Sequence, residues 1–127
     1  ICFSDLNNEP GIYSARWAGK EKNFAIAMVK INESIKKIKN PNFDCHFICS
    51  LSICWPDGYD VTVSGRVDGK FSWPPKGDKG FGYDPIFKPL GYKKTFAEME
   101  PKFKHSISHR NIAFAKLIKF CFPSLNS

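Results

Sequence analysis

Residues 43–67 of the chain read FDCHFICSLSICWPDGYDVTVSGRV. Apolar and polar residues alternate through 43–55 and again through 59–67, and Pro56-Asp57-Gly58 lies between the two runs. Successive side chains of a β-strand point to opposite faces, so this alternation predicts two half-buried strands. The proline, aspartate and glycine between them predict a tight turn. The stretch therefore predicts a β-hairpin.

Five cysteines are spread along the chain, and no C-x-x-C pair occurs among them. Cys45 and Cys49 fall on the face of the first strand that carries its large apolar residues, whereas His46 points to the opposite face. This pattern favours packing of a buried strand over a zinc site that uses His46. Thiols of this kind fit a reducing compartment, and we expect a cytoplasmic protein.

Before the hairpin, apolar residues recur at alternating spacings of four and three, which is the pattern of one helix face. We therefore predict an amphipathic helix over residues 21–39, ended by Asn40-Pro41. The apolar positions are Phe24, Met28, Ile31, Ile35 and Ile38.

The net charge of +7 raises the question of nucleic-acid binding. The lysines are spread along the chain, and the local cluster of Lys36, Lys37 and Lys39 falls where the predicted helix ends, a position that favours cations. A positive field also attracts phosphate-bearing small molecules. The aromatic residues follow no known RNA-binding signature, so we expect no stable nucleic-acid partner, and a basic RNA-binding module is kept as an alternative.

The length of 127 residues and the hydrophobic content of 43% fit one domain spanning residues 1–127. No apolar run approaches the roughly 20 residues of a membrane span, and no signal-peptide pattern is present at the start, so we expect no membrane partner. The first residue is Ile1 rather than methionine, which indicates that an upstream portion was lost, cleaved or not included.

After the hairpin comes a glycine-rich turn, Gly80-Phe81-Gly82-Tyr83-Asp84-Pro85. Glycine reaches positive φ angles without steric cost, so the turn can hold the Phe81 ring outward at a surface. Pro85 restricts Asp84 to an extended conformation. A flat ring beside a fixed acceptor suits a purine base. The alternative is that Phe81 and Tyr83 pack into the core.

Thr95-Phe96-Ala97-Glu98 has the form of a capping box and predicts the start of a helical turn, with a restart at Pro101. Ser106 or Ser108 then caps a last helix that carries His109 and Arg110 in its first turn. We predict that this helix buries Phe114, Leu117, Ile118 and Cys121 on one face. A solvated helix start with ordinary surface charges is the alternative for Lys104 and Arg110.

Four segments together resemble the inosine triphosphate pyrophosphatase family, and they occur in the family's order. They are LNNEPGIYSARWAG at residues 6–19, GFGYDPIF at 80–87, KTFAE at 94–98 and KHSISHR at 104–110. The resemblance implies a Mg²⁺-dependent hydrolase that converts ITP, dITP and XTP to the monophosphate and pyrophosphate. It also implies a homodimer, to which residues 10–17 contribute.

The resemblance implies an elongated α/β fold with a central mixed sheet, of which this chain is the C-terminal part. It also implies that the family's N-terminal strands and phosphate-binding loop are expected upstream of Ile1. Aligning Pro10-Gly11 with the family's Pro-Gly puts Ile1 at the last residue of its acidic motif, so the catalytic aspartate and the Mg²⁺ ligands are expected upstream of Ile1. We therefore expect no catalytic residue and no metal ligand in this chain, and little activity from the chain alone.

The same resemblance implies roles for eight substrate-binding residues. Phe81 would stack on the base, and Gly82, Tyr83 and Asp84 would complete the wall of the pocket. The base edge would be surrounded by Lys104, Ser108, His109 and Arg110. Part of a purine triphosphate pyrophosphatase is thus the leading interpretation, and a non-catalytic nucleotide-binding remnant is a second one.

Overall fold

The computed structural model describes residues 1–21 and 23–121, and within them the fold mixes α-helices and β-strands, as predicted. The strands are β1 (Cys2–Phe3), β2 (Glu9–Pro10), β3 (Asp44–Cys54), β4 (Asp60–Phe71) and β5 (Phe87–Pro89). The helices are α1 (Ser14–Trp17), α2 (Phe24–Lys36), α3 (Pro101–Ile107) and α4 (His109–Cys121).

The five strands form one sheet in the order β2-β1-β3-β4-β5. Strand β1 pairs antiparallel with both β2 and β3, and β4 pairs antiparallel with β5. The parallel pairs expected of a mixed sheet are not among these pairings.

Strands β3 and β4 form the predicted hairpin. Its turn is closed by backbone hydrogen bonds from the Trp55 N–H to the Tyr59 carbonyl at 2.8 Å and from the Gly58 N–H to the Trp55 carbonyl at 2.9 Å. Strand β4 continues to Phe71, beyond the predicted end at residue 67, because its last residues pair with β5, where Phe71 lies opposite Phe87. Strand β5 begins at Phe87, since Asp84–Ile86 forms a 3₁₀ turn.

The chain divides into two compact units. The first contains residues 1–46 and 68–101, and the second contains residues 47–67 and those from 102 onward. The largest fully buried side chains belong to the first unit: Phe3, Phe87, Phe96, Ile31, Ile86, Thr95 and Pro10. In the second unit the buried apolar residues are Val61, Val67, Ala113 and Leu117. A single domain over 1–127 stays a prediction.

Helix α2 is shorter than the predicted 21–39 at both ends. The Asn23 side chain accepts hydrogen bonds from the N–H groups of Ala25 and Ile26, so the helix begins at Phe24. At the other end, the N–H groups of Lys37 and Ile38 donate to carbonyls three residues earlier instead of four, so the α-helix ends at Lys36. The face predicted to be apolar is buried at Met28, Ile31 and Ile35, whereas Ile38 is exposed.

Helix α4 buries Leu117 as predicted and half-buries Ile118 and Cys121, but its buried face does not include Phe114. Ala113 and Leu117 are buried, whereas Phe114 is 55% exposed. The Ala113 backbone packs closely on Gly65 of β4, since a Cβ atom at Gly65 would lie 2.4 Å from the Ala113 N atom, and the Phe114 side of the helix is exposed. The prediction that Phe114 belongs to the buried face is therefore wrong.

Across residues 1–21 and 23–121, no helix has the length and apolar character needed to cross a membrane.

Candidate functional site

The glycine-rich turn has the backbone conformation that its sequence predicts. Gly80 and Gly82 adopt positive φ angles of 74° and 62°. At Gly80 a side chain is also excluded by space, because a Cβ atom there would lie 2.2 Å from Oδ2 of Asp84. The two glycines therefore allow the turn to close tightly around the Asp84 carboxylate.

The Asp84 carboxylate stabilises this turn through a hydrogen bond within it. The residue is buried, and its Oδ2 atom accepts a hydrogen bond of 3.0 Å from the backbone N–H of Phe81. Asp84 is also the first residue of the 3₁₀ turn Asp84–Ile86, so the extended conformation predicted from Pro85 is wrong. The hydrogen bonds of the turn outweigh the mild bias of a residue that precedes proline.

The two aromatic residues of the turn have opposite environments. Phe81 is 61% exposed, whereas Tyr83 is buried. The Tyr83 hydroxyl donates a 2.6 Å hydrogen bond to the Ser14 carbonyl, and its ring meets the Phe24 ring edge-on at 5.2 Å. Burial raises the pKa of Tyr83 to about 12. The alternative of core packing thus holds for Tyr83 but not for Phe81, whose side chain is mostly exposed.

The KTFAE segment forms hydrogen bonds with residues that directly precede the glycine-rich turn. Thr95 and Glu98 form the predicted capping box over the 3₁₀ turn Phe96–Glu98, and the Thr95 hydroxyl donates a 2.7 Å hydrogen bond to the Lys76 carbonyl. The Ala97 carbonyl accepts a hydrogen bond of 2.9 Å from the Lys79 N–H. The hydrogen bond from the Thr95 N–H holds the pKa of Glu98 below its usual value. This segment is a scaffold for residues 76–80.

The second group of predicted residues lies where α3 ends and α4 begins. Lys104 belongs to α3, and Ser108 joins the two helices. The buried Ser108 hydroxyl accepts a hydrogen bond from the Asn111 N–H at 3.2 Å, so Ser108 rather than Ser106 caps α4. It also donates to the His105 carbonyl at 3.1 Å. These bonds orient the Ser108 hydroxyl toward the backbone of its own turn.

His109 and Arg110 are the first two residues of α4, as predicted. The His109 imidazole stacks on the Phe47 ring with a centroid distance of 5.0 Å and an angle of 12°. Its Nδ1 atom is buried and has no hydrogen-bond partner among the described residues. Burial, aided by the charges of Arg110 and Lys104, lowers the pKa of His109 to about 4. The imidazole is therefore neutral near pH 7.

The eight predicted residues thus form two groups of four. The structure brings Phe81, Gly82, Tyr83 and Asp84 together in the first unit, and Lys104, Ser108, His109 and Arg110 together in the second. Sequence reasoning missed Phe47 and Gly65, which contact the His109 end of α4. Gly65 carried a signal, because a glycine inside a strand marks a bulge or a close approach of backbone.

The described residues do not fit a Mg²⁺ site. Residues 1–21 and 23–121 contain no group of three or more His, Cys, Asp or Glu side chains that could hold a metal ion. The carboxylates of Asp84 and Glu98 each accept a backbone hydrogen bond within their own turn.

Comparison with known sequences gives a consistent set of relatives. The sequence profile of the Ham1 family matches residues 1–120. The dITP/XTP pyrophosphatase of Zymomonas mobilis is 45% identical over 122 residues, covering 95% of this chain and 58% of that protein. The dITP/XTP pyrophosphatase of Caulobacter vibrioides is 50% identical over 117 residues, covering 92% of this chain and 60% of that protein. The chain thus spans about three fifths of the curated relatives it matches.

Solved structures of Ham1 proteins are also similar to this chain. A HAM1 protein from Coxiella burnetii superposes with a TM-score of 0.87 at 31% identity, covering 94% of this chain and 61% of that one. The Ham1 protein of Staphylococcus aureus gives a TM-score of 0.88 at 34% identity, with coverage of 96% and 62%.

Proposed function

The chain belongs to the Ham1 family, and on that premise we propose that it contributes to the hydrolysis of ITP, dITP and XTP to the monophosphate and pyrophosphate. This reaction removes deaminated purine nucleotides before they enter nucleic acids. Within it, the chain supplies the residues that recognise the base. The names of its relatives, dITP/XTP pyrophosphatases, support this substrate class.

The observation that carries the proposal is the exposed Phe81 ring on a rigid turn. Positive φ angles at Gly80 and Gly82 and the Asp84 hydrogen bond fix the backbone on both sides of the ring. A backbone held in this way needs no ordering when a base stacks on the ring, so less of the stacking energy is lost to entropy. Base–aromatic stacking is worth about 1–3 kcal/mol.

Selection among purines is assigned to the first turn of α4. Hypoxanthine and xanthine carry a carbonyl oxygen at C6, whereas adenine carries an amino group there. The Arg110 guanidinium has only donors, so it can bind the carbonyl but meets adenine donor to donor. A mismatch of this kind discriminates strongly, because it leaves polar groups unpaired. Guanine shares the C6 carbonyl, and its rejection requires contacts at C2.

We further propose that hydrolysis depends on Mg²⁺ and that its ligands and the catalytic acid lie outside this chain. Hydrolysis of a triphosphate requires neutralisation of phosphate charge by a metal and orientation of the attacking water. Asp84 and Glu98 are already engaged by the backbone, which supports their exclusion from these roles. The chain alone is then expected to bind nucleotide with little or no turnover.

Isothermal titration of the purified chain with ITP and with ATP tests base recognition. We expect tighter binding of ITP, and a loss of about 5- to 150-fold in ITP affinity for Phe81→Ala. The matched control is Phe120→Ala, because Phe120 is 62% exposed on α4, which is close to the exposure of Phe81. Unchanged ITP affinity in Phe81→Ala would contradict the proposal. Salt-sensitive binding of RNA that ITP does not displace would favour an RNA-binding module instead.

A complementation assay tests the catalytic part of the proposal. The chain is mixed with the portion of the Zymomonas mobilis relative that lies outside the matched 58%, and pyrophosphate release from ITP is followed with and without Mg²⁺. Activity that requires both polypeptides and the metal supports the proposal. Binding of ITP without turnover under any complementation would indicate a non-catalytic remnant.

We also propose a homodimer in the cytoplasm. Residues 10–17 expose Ile12 at 91%, which supports their involvement in a subunit contact. The five cysteines are all free thiols, in keeping with a reducing compartment. Light scattering on a size-exclusion column measures the mass, and a monomeric mass at micromolar concentration would exclude the dimer.

A further inference from the structure

Gly65 of β4 lies in direct backbone contact with the start of α4. A Cβ atom at this position would lie 2.2 Å from the carbonyl oxygen of His109 and 2.4 Å from the N atom of Ala113. Both neighbours are backbone atoms, which cannot rotate out of the way as a flexible side chain can. Any side chain at Gly65 therefore requires the helix or the strand to move.

The backbone conformation does not explain why residue 65 is a glycine. Gly65 is not among the glycines with a positive φ angle, so other residues could adopt its backbone angles. Gly58, in contrast, has a φ angle of 91° in the hairpin turn and no atom within 4 Å of its Cβ position. Gly65 is thus needed for space alone, and the space is taken by the first turns of α4.

Further contacts hold α4 against the hairpin, both at its start and near its middle. The His109 ring stacks on Phe47 of β3, and the Lys116 amine donates a 2.8 Å hydrogen bond to the Ser64 carbonyl of β4. We call these contacts, together with the approach at Gly65, the α4 seat. Because the seat touches both strands, the positions of His109 and Arg110 follow directly from how deeply the helix sits on the sheet.

We propose that Gly65 is a positioning residue that sets the depth of α4 on the sheet and thereby the preference of His109 and Arg110 for keto purines. This inference rests on the proposed function of these two residues. A methyl group at residue 65 has to move from 2.2 Å to an ordinary contact distance, a displacement of about 1 Å or more. A misplacement of about 1 Å can cost on the order of a hundredfold in a site that depends on hydrogen-bond geometry.

The test compares Gly65→Ala with Gly69→Ala in the same strand. A Cβ atom at Gly69 would lie 2.5 Å from the Lys88 carbonyl oxygen, so this control also forces β4 against a backbone, but at β5 rather than at α4. For each chain we measure the ratio of ITP to ATP affinity by titration and the proton resonances of the His109 ring. We expect Gly65→Ala to lower the ratio by about tenfold or more. The His109 resonances should lose the upfield shift that stacking on Phe47 produces.

Gly69→Ala is expected to lower the melting temperature and to retain both the ratio and the His109 shift. A folded Gly65→Ala chain with the wild-type ratio, or an equal loss of ratio in Gly69→Ala, would overturn the inference. Should Gly65→Ala fail to fold, Phe47→Leu loosens the α4 seat without adding volume. A lowered ratio in Phe47→Leu then supports the inference, and an unchanged ratio overturns it.

Failure of the proposed function is distinguishable from failure of this inference. A wild-type chain that binds ITP and ATP equally would reject the proposed base selection. The His109 resonances report the depth of the helix in either case. A His109 shift unchanged by Gly65→Ala would reject Gly65 as the positioning residue, whatever the nucleotide titrations give.

Discussion

The carboxylate of Asp84 accepts a 3.0 Å hydrogen bond from the backbone N–H of Phe81, three residues earlier. This bond closes the turn around the two glycines and leaves the ring of Phe81 outside it. The residue that a purine-binding interpretation assigns to the wall of the pocket is thus also the residue that shapes the pocket's stacking surface.

Replacing Asp84 by alanine is expected to destabilise the chain and to weaken ITP binding together. The substitution leaves the Phe81 N–H without its buried acceptor, which costs about 1–3 kcal/mol in the free energy of unfolding. Urea titration measures this change. Asp57→Ala is the control, because Asp57 accepts from the Tyr59 N–H in an exposed turn and its loss should cost less than about 1 kcal/mol. Equal costs for the two variants would contradict the assigned role of Asp84.

Thr95→Val should destabilise the first unit by about 1–3 kcal/mol, since it removes the buried hydroxyl that donates to the Lys76 carbonyl and caps the following turn. The matched control is Thr62→Val on the exposed side of the hairpin, where the hydroxyl only shares a hydrogen bond with Ser52. There we expect a change within about 0.5 kcal/mol. Chemical denaturation of both variants decides whether the KTFAE segment is the scaffold described above.

Tyr83→Phe separates stability from binding within the glycine-rich turn. The variant loses the 2.6 Å hydrogen bond to the Ser14 carbonyl and should lose about 1 kcal/mol of stability. Because the buried ring stays in place against Phe24, ITP affinity should change by less than about twofold. A large loss of affinity with unchanged stability would instead assign Tyr83 a direct contact with the nucleotide.

The lowered pKa of His109 predicts a component of stability that depends on pH. In the unfolded chain the imidazole takes up a proton near pH 6.5, whereas in the folded chain it does so only near pH 4. Between these values the unfolded state binds more protons, so stability falls as the pH falls from about 6.5 to about 4. Urea titrations of the wild type and of His109→Gln across this range should show a larger loss in the wild type, because the carboxylates with lowered pKa, such as Glu98, contribute equally in both chains. The control is His105→Gln on α3, and a pH dependence in His109→Gln equal to that of the wild type would contradict the assignment.

Features that depend on local pattern were predictable from the sequence. The hairpin follows from alternation around Pro56-Asp57-Gly58, and the capping box follows from the spacing of Thr95 and Glu98. The apolar spacing predicted α2 in the right place but made it too long, because the spacing carries no information on the Asn23 side chain that caps the helix start.

Features that depend on contacts between distant segments were not predictable in this way. The apolar residues of α4 allow more than one buried face, and the approach of Ala113 to Gly65 selects the one that leaves Phe114 exposed. Likewise, the rule for residues before proline gave the wrong conformation for Asp84, because the hydrogen bond to Phe81 forms only when the whole turn closes. The family resemblance named the residues expected in the site, and the structure shows how each group of them is arranged.

The discontinuity of the first unit has a consequence for how the chain folds. That unit joins residues 1–46 to residues 68–101, and the hydrogen bond from Tyr83 to Ser14 closes a separation of 69 residues. During synthesis the first unit cannot complete its core until Pro101 has left the ribosome. Closing such long loops is entropically costly and slows folding. Premature termination before Pro101 should therefore yield a chain that exposes Phe3 and Ile31 and is prone to aggregate.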